Sequence, residues 1–493
     1  MLSMLASSLF ADGKLSIDAY TGVLTSPRQW TLMAHSMLLS LLVSLFATII
    51  GVPLGLALGK TDLPFRKTFA VLFAIPLLIP PYIVAVAWAD LAGAQKIMGL
   101  TGCVLVLFSS FLPIPMLLTM VFLRTINPRL EEAARLVSGW RGVIKGVTMP
   151  MILPGVLLGT MLVFLLTFGE FGVPNFLRYD VFPVESFTQF SAFYDFRAAT
   201  AAAMPLALVT LLVLIIEARF LKDRTYQPRP FAGSKHRPCI ELGRMKFFYF
   251  GLVSAMALAL VVVPMLVLLI QSEGADAYVQ ALEMAGDSLI RSIIYALVAA
   301  STLTLVGFFT AYIIHNRTVK YWRIVDSTTI FLFALPATVM GIGLINLWNT
   351  PWTNFIYGTA LIIILGYLTK YTALTSRILV TQFAQIPQSM QEAAQISGAG
   401  WMRTLFSIVA PLARRGLLAG WLVAYIFSLR DTGIVMLVYP PGHETLPVRI
   451  FTLMANGSSQ LIAALCVLMI GATLLPAGIL WSIPKLMSKR TAR

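Results

Sequence analysis

Two short polar segments of the sequence share a pattern of residue types that suits docking rather than catalysis. Residues 129–154 and 389–411 each contain Glu-Ala-Ala, then a small-residue break, a Trp with basic residues nearby, and a Pro. Trp140 and Trp401 are 261 positions apart. A carboxylate followed by small side chains suits the first turn of a helix that another surface can approach closely. We therefore expect each segment, called here the first and the second docking segment, to present a surface to a soluble partner.

Ionisable residues also occupy matched positions near the ends of two apolar runs. Residues 170–172 (EFG) and 431–433 (DTG) are 261 positions apart, and Arg430 directly precedes Asp431. Ionisable groups in membrane spans are functional candidates by default. We expect Glu170, Arg430 and Asp431 either to line a pathway through the membrane or to join the two halves of the protein, with Arg430 opposite Glu170.

The other residues that could do chemistry are scattered along the chain. The three Cys and four His residues have no metal-ligand spacing, and no Ser/His/Asp, Rossmann or kinase pattern occurs. The run Gly55–Thr61 (GLALGKT) has three residues between its glycines, whereas a phosphate-binding loop requires four. The sequence therefore predicts no catalytic group, no metal centre and no nucleotide site in this chain.

The elements that must position these residues are membrane helices. The chain has 493 residues, of which 58% are hydrophobic and 12% are charged, whereas an average soluble domain carries about 25% charged residues. Long apolar runs without strand-type alternation predict an all-α polytopic membrane protein. Most Lys and Arg residues fall in predicted cytoplasmic segments, so the net charge of +15 reflects membrane topology and not nucleic-acid binding.

We expect eleven spans. They lie near residues 33–59, 68–90, 102–123, 151–172, 198–218, 247–270, 288–314, 325–348, 357–376, 413–436 and 460–482. The linker 219–246, with eight Lys or Arg residues, separates a first membrane domain (33–218) from a second (247–493), and residues 1–32 form an outer N-terminal segment.

The two membrane domains repeat one another. Residues 73–76 (FAIP) match residues 333–336 (FALP) at an offset of 260, and both docking segments are basic and therefore cytoplasmic. The halves then run in the same direction, which requires an even number of spans in each. The second half has six spans but the first shows five. Either the first half has lost its first span or the natural start lies upstream, and we expect 5 + 6 spans in the chain as it stands.

The docking segments resemble the loop that marks permease subunits of bacterial ABC importers, which has Glu-Ala-Ala, three residues, a Gly and later a Pro. The second segment fits this pattern with Glu392, Gly398 and Pro411, whereas in the first segment Ser138 holds the Gly position and Gly139 follows. The duplicated layout and the run 439–448 (YPPGHETLPV) resemble fused permeases of the ferric-iron importer type, in which one polypeptide supplies both transmembrane halves.

This resemblance implies a division of labour between this chain and its partners. Each docking segment would fold as a short helix that fits a cleft on a cytoplasmic ATPase, so two segments imply two ATPase copies. ATP would bind to those partners, and this chain would carry no cofactor and would not itself be an enzyme. A periplasmic binding protein would deliver substrate to a multi-pass protein in the bacterial inner membrane, surrounded by lipid. The implied coupling residues are Glu132, Ala133, Ala134, Gly139, Trp140, Glu392, Ala393, Ala394, Gly398 and Trp401.

The substrate is less defined than the family. Ferric iron is the first expectation, and phosphonate, thiamine and polyamine permeases share much of the pattern. An ion-coupled secondary transporter can also be built from parallel repeats, but it gives no reason for two matching Glu-Ala-Ala segments. An integral-membrane enzyme would require a catalytic cluster at a membrane face, and the sequence suggests none.

Overall fold

The structure is a computed structural model in which residues 8, 10–11, 14–15, 18–191, 196–221, 239–317 and 319–490 are described. Up to the linker the elements are β1 (Phe10–Ala11), β2 (Lys14–Leu15), α1 (Asp18–Thr25), α2 (Pro27–Lys60), α3 (Arg66–Leu78), α4 (Pro81–Ala92), α5 (Ala94–Ile97), α6 (Leu100–Phe111), α7 (Pro113–Leu123), α8 (Pro128–Val143), a π-helical turn (Ile144–Thr148), α9 (Met149–Phe168), α10 (Gly172–Phe176), α11 (Phe182–Ser191) and α12 (Phe196–Leu221). The predicted linker lies outside the described residues between 222 and 238, as does most of the predicted N-terminal segment before Asp18.

After the linker the chain is again helical. The elements are a 3-10 turn (Gly243–Met245), α13 (Lys246–Ala257), a π-helical turn (Leu258–Val262), α14 (Val263–Gln271), α15 (Ala275–Asn316), α16 (Trp322–Ala334), α17 (Ala337–Trp348), α18 (Asn354–Tyr357), α19 (Leu361–Phe383), α20 (Gln388–Ile396), α21 (Trp401–Thr404), a π-helical turn (Leu405–Val409), α22 (Ala410–Leu412), α23 (Arg414–Leu429), α24 (Val435–Val438), α25 (Leu446–Leu453) and α26 (Ser459–Arg490).

Helices long and apolar enough to cross a membrane dominate the described part of the chain. Seven qualify singly, and three bent pairs would each make one further span, which gives up to ten. The remaining expected span, near residues 357–376, falls in α19, which contains Lys370, Arg377 and several Thr and Ser residues among its apolar side chains. The all-α polytopic class is confirmed, whereas the 5 + 6 division stays a prediction.

Two of the bent pairs break at prolines 256 positions apart, Pro80 and Pro336, so the structure matches Pro336 with Pro80 and not with Pro76, which the sequence offset of 260 had paired with it. The chain turns by 100° between α3 and α4 and by 112° between α16 and α17. Ile79 and Leu335, which precede Pro80 and Pro336, have extended backbone. Proline lacks the N–H that a continuing helix needs, and it disfavours helical backbone in the residue before it. Both bends therefore follow from the local sequence.

The residues group into two compact units, and the first of them ends at Glu273 and includes Pro336–Val339. Its centre is formed by α2, α7 and α9, which pack against one another. Gly55 of α2 allows the close approach to α7, because a Cβ at this position would lie 2.6 Å from the Met116 carbonyl oxygen. The glycine-rich run that begins at Gly55 thus forms the last turns of a helix that packs closely against its neighbour.

The second unit comprises Gly274–Leu335 and the chain from Met340 onward. Its centre repeats the first arrangement with α15, α19 and α23. At Gly307 of α15 a Cβ would lie 2.2 Å from the Thr375 hydroxyl oxygen of α19, and that hydroxyl donates a hydrogen bond to the Leu303 carbonyl (3.1 Å). The same three-helix core therefore occurs once in each unit.

The first span after the linker packs within the first unit. Helices α13 and α14 contact α3 and α4, and the Phe250 ring lies edge-on to Phe69 with centroids 5.8 Å apart. The boundaries 33–218, 219–246 and 247–493 were drawn from the sequence repeat and stay a prediction. The contacts divide the chain later, after Glu273.

Candidate docking site

The first docking helix is α8, and its start is defined by a side-chain cap. The Asn127 side chain accepts a hydrogen bond from the Arg129 N–H (3.1 Å), and Pro128 occupies the first helical position. Both features are favoured at helix N-termini, because they leave fewer backbone donors without a partner. Gly139 interrupts the helix with φ 64° and ψ −175°.

The second docking helix is α20, and it ends in a hydrogen-bonded turn. Gly398 has φ 78°, and the Ala399 N–H donates to the Ala394 carbonyl (2.9 Å) across five residues. This combination is the Schellman ending, which glycine favours because it adopts left-handed backbone without a Cβ clash. The chain leaves the helix at this point.

The two docking helices end in the same three-residue motif. Residues 137–139 (VSG) correspond to residues 396–398 (ISG), and in both motifs the serine hydroxyl donates to the carbonyl four residues earlier, at 3.0 and 2.8 Å. Both glycines have positive φ. Gly139 is therefore the counterpart of Gly398, and the first helix is one residue longer between its Ala pair and this glycine.

An exposed aliphatic side chain stands two residues before each of these glycines. Val137 is 89% exposed and Ile396 is 88% exposed, and Leu136 beside Val137 is 91% exposed. A single exposed apolar side chain is ordinary, but this exposure recurs at matched positions of the two docking helices and therefore indicates an interaction surface. Sequence reasoning missed these residues, although the repeated Val/Ile-Ser-Gly motif was a signal for them.

The predicted Glu-Ala-Ala residues share this open face only in part. Glu132 and Ala133 are exposed, as are Glu392 and Ala393. Ala134 is half-buried and Ala394 is buried, so the second alanine of each motif faces the protein. The glutamate and the first alanine of each copy are thus available to a partner.

The two tryptophans contact their own chain. The Arg135 guanidinium lies over the half-buried Trp140 ring, 4.8 Å from its centroid. Trp401 is 51% exposed and meets the Tyr312 ring edge-on at 6.0 Å. Arg135 shields one face of Trp140, while half of the Trp401 surface stays open.

Each docking segment continues into a span through a π-helical turn. The turns Ile144–Thr148 and Leu405–Val409 are 261 positions apart and lead towards α9 and α23. Single π-helical turns inside helices occur frequently at functional sites. The duplicated turn shows that the repeat extends from the docking helix into the membrane core.

The structure also reveals a buried carboxylate that the sequence did not single out. Glu131 is 2% exposed, forms an ion pair with the Lys60 ammonium and accepts a hydrogen bond from the Thr148 hydroxyl (3.1 Å). The adjacent Glu132 is exposed. Two consecutive glutamates on one helix look alike in sequence, and only the contact with Lys60 distinguishes them.

The predicted acidic residues near the outer ends of the spans lie in different surroundings. Asp431 is buried, accepts a hydrogen bond from the Tyr371 hydroxyl (2.5 Å) and from the Ile434 N–H (3.0 Å), and lies 3.9 Å from the Lys370 ammonium. Glu170 is half-buried and accepts from the N–H two residues ahead (3.0 Å).

Arg430 lies over the Phe427 ring, 4.7 Å from its centroid. Glu170 belongs to the first unit, and Arg430 and Asp431 belong to the second. Their roles as pathway residues or as a pair joining the halves stay predictions.

Helices α11 and α25 are anchored in the same way, one in each unit. The N–H of Phe182, which begins α11, donates to the Ser36 hydroxyl (2.8 Å), and the N–H of Leu446, which begins α25, donates to the Ser292 hydroxyl (2.6 Å). These helices begin FPVESF and LPVRIF. Just before α25, within the run 439–448, the His443 imidazole contacts the Tyr295 hydroxyl (2.7 Å). The outer run singled out in the sequence is therefore part of the repeat.

Comparison with known proteins finds transport permeases among the sequences that are similar to this chain. Residues 303–486 match the family described as "Binding-protein-dependent transport system inner membrane component". The chain is 24% identical, over 76% of its length, to the ferric transport system permease protein FbpB of Actinobacillus pleuropneumoniae, of which it covers 59%. It is 22% identical, over 75% of its length, to the putative ferric transport system permease protein FbpB 1 of Haemophilus influenzae, of which it covers 63%.

A shorter match concerns a permease for another substrate class. Over 37% of its length the chain is 27% identical to the spermidine/putrescine transport system permease protein PotC of Haemophilus influenzae, of which it covers 69%. The chain thus spans less than two thirds of the length of the two ferric-transport relatives. The likeness to ferric-transport permeases extends over more of this chain than the likeness to PotC.

Proposed function

Residues 303–486 belong to the family of inner membrane components of binding-protein-dependent transport systems, and on this premise we propose that the whole chain is the transmembrane permease of an ATP-driven importer. The observation that carries the proposal is the pair of docking helices. Both end at a left-handed glycine, both expose an aliphatic residue two positions earlier, and both lead towards a span through a π-helical turn. A secondary transporter has no use for two such surfaces.

Each docking helix binds one copy of a cytoplasmic ATPase in this proposal. ATP is bound and hydrolysed on those two partners, while this chain carries no cofactor and performs no catalysis. Val137 and Ile396 are the apolar anchors, and the exposed Glu132 and Glu392 meet basic groups on the ATPase. This arrangement agrees with the exposure of these four side chains.

Transport follows from the way the docking helices join the membrane core. Helix α8 leads through its π-helical turn towards α9, which packs against α2 and α7, and α20 leads in the same way towards α23, which packs against α15 and α19. When the ATPase pair closes, the two docking helices move and each displaces its own three-helix core. A rigid-body shift of this kind gives alternating access to the two sides of the membrane.

Ferric iron is the proposed substrate class, delivered by a periplasmic binding protein. The support is the likeness to two ferric transport permeases over about three quarters of the chain (76% and 75%). Polyamine and phosphonate permeases match shorter parts of this chain. Thiamine is the remaining alternative substrate that the sequence suggested.

The experiment that tests the function is stimulation of ATP hydrolysis. The chain is reconstituted in vesicles with the ATPase encoded beside it, and a binding protein loaded with ferric iron, a polyamine, a phosphonate or thiamine is added in turn. We expect the ferric-loaded protein to raise ATP hydrolysis above the level with the empty protein. Stimulation by another loaded protein would reassign the substrate, and failure of any ATPase to associate would overturn the importer function.

A further inference from the structure

The buried carboxylate of Glu131 joins three elements of the first unit. Glu131 lies in the first turn of the first docking helix, Lys60 is the last residue of α2, and Thr148 is the last residue of the π-helical turn that leads into α9. Each carboxylate oxygen has its own partner: one contacts the Lys60 ammonium, and the other accepts a hydrogen bond from the Thr148 hydroxyl. A single side chain therefore links the docking helix to the end of the core helix α2 and to the π-helical turn that leads into the core helix α9.

Lys60 extends this connection to the chain that enters α13. Its carbonyl accepts a hydrogen bond from the Ile240 N–H (2.9 Å), and its ammonium lies 6.0 Å from the centroid of the Trp140 ring. Two residues later, Asp62 accepts from the Leu242 N–H (3.0 Å) and pairs with the Lys246 ammonium (3.0 Å). The Leu242 N–H, followed by Lys246, holds the pKa of Asp62 below its usual value, so this carboxylate stays charged at neutral pH.

The matched positions of the second unit hold no pair of oppositely charged residues in the sequence. Lys60 ends α2 as Asn316 ends α15, 256 positions later, which is the offset that also relates Ser36 to Ser292. Glu131 and Thr148 correspond to Gln391 and Val409 at offsets of 260 and 261. Val409 is buried in an apolar cluster with Leu405, Phe383 and Tyr312. The second segment is therefore held at this point by apolar packing.

From this difference we propose that Glu131 is a positioning residue, whose buried ion pair with Lys60 fixes the first docking helix to α2 and α9 so that movement of the ATPase reaches the membrane core. The inference rests on the proposed function. It makes the two docking helices unequal, because the first is coupled through a directional ionic contact and the second through apolar contacts. An ion pair with a hydrogen-bonded third partner specifies one geometry, whereas apolar contacts allow small shifts.

The test measures coupling separately from assembly. The Glu131→Gln variant and wild type are reconstituted with the ATPase and the loaded binding protein, and three quantities are measured: ATPase bound per permease, ATP hydrolysed, and substrate transported per ATP. We expect the variant to keep the bound ATPase, because Glu132, Leu136 and Val137 are unchanged. Transport per ATP should fall by about threefold or more. A merely structural role would lower assembly and uptake together and leave this ratio unchanged, which would overturn the inference.

Two further variants keep the inference falsifiable if removal of one charge prevents folding. In the exchange Lys60→Glu with Glu131→Lys the ion pair is restored, and transport per ATP should return to within about twofold of wild type. In the double variant Lys60→Met with Glu131→Met the pair becomes apolar. It should fold, since apolar replacement of a buried ion pair is often neutral, and still show the reduced ratio. A normal ratio in the apolar variant would contradict the proposal.

The control is an ion pair that does not involve a docking helix. Arg377 of α19 pairs with Asp326 of α16 at 2.6 Å, and the Asp326→Asn variant should leave transport per ATP unchanged. If wild type bound no ATPase, the proposed function would fail. If wild type transported normally and the Glu131 and Asp326 variants gave the same ratio, only the positioning role would fail.

Discussion

At the scale of single residues, Val137 and Ile396 stand apart from the other exposed apolar side chains because they lie on polar helices. Most other exposed aliphatic residues, such as Leu41 and Leu305, belong to spans and face lipid. Val137 and Ile396 lie on polar stretches of helix, and they occur at matched positions of a repeated motif. Their repeated exposure is best accounted for by two equivalent partners.

We expect Val137→Glu and Ile396→Glu each to weaken ATPase binding at least about tenfold, because loss of a central apolar anchor commonly costs ~1–2 kcal/mol or more. Binding is measured by titrating purified ATPase onto the permease in nanodiscs. The control is Val319→Glu, the same change at an exposed residue between α15 and α16. Equal binding by all three variants would contradict the docking role.

The exposed glutamates give a second residue-scale prediction. Glu132→Lys and Glu392→Lys reverse a charge on the docking surface without removing any intramolecular contact of Glu131. We expect substrate uptake to be abolished in cells while the amount of permease in the membrane stays normal. Normal uptake by both variants would count against the importer function.

At the scale of elements, the docking helices are defined by how they end. Gly139 and Gly398 have positive φ, and a Cβ at either position would meet no atom within 4 Å. Substitution there is therefore opposed by backbone conformation alone and not by crowding. The helix ends place Val137 and Ile396 outward, so their geometry bears on docking as well as on stability.

We expect Gly398→Ala to destabilise the end of the second docking helix by about 1 kcal/mol, the cost of left-handed backbone for a residue with a Cβ. Gly400→Ala is the matched control, because Gly400 has φ −65° and a Cβ there would also meet no atom within 4 Å. Hydrogen exchange of residues 388–399 in detergent measures the difference. Equal protection in both variants would show that the left-handed turn is not required.

The start of the first docking helix allows a similar test. Asn127→Ala removes the side-chain acceptor for the Arg129 N–H, and such a loss at a helix N-cap typically costs ~1 kcal/mol. We expect faster hydrogen exchange at residues 128–132, while Asn127→Ser, which keeps an acceptor, should resemble wild type. If alanine and serine behaved alike, the cap would contribute nothing.

At the scale of the whole molecule, the covalent halves and the packed units are not the same. The span formed by α13 and α14 follows the linker, yet its contacts place it in the unit that ends at Glu273. Its start is held by the Thr61 to Ile240 bridge and by the Asp62 to Lys246 ion pair. This span therefore belongs to the second half by its position in the sequence and to the first unit by its packing.

We expect fragments 1–228 and 229–493 to co-purify when co-expressed, because residues 239–273 of the second fragment pack on α3 and α4 of the first. The Phe250→Ser variant should lower recovery of the pair, since Phe250 contacts Phe65 and Phe69. Phe247→Ser is the control, because this ring is 82% exposed. Equal recovery of the two variants would contradict the packing of this span.

Several features of this protein could be read from the sequence by itself. Helical membrane class follows from composition and apolar run length, and the duplication follows from a nearly constant offset between matched residues. The docking segments stand out because they are polar segments with a shared residue pattern in a mostly apolar chain. A glycine near the end of each docking helix is expected because the chain must turn out of the helix there. These are one-dimensional properties of the chain, and local physical chemistry is enough to interpret them.

Only the tertiary structure decided which polar side chains are buried and what they contact. Glu131 and Glu132 are neighbours with the same chemistry, and the difference between them arises from Lys60, 71 residues away in sequence. The grouping of α13 and α14 with the first unit likewise depends on contacts with distant helices. Burial and long-range pairing are set by how helices pack in three dimensions, and no local pattern of residues specifies that packing.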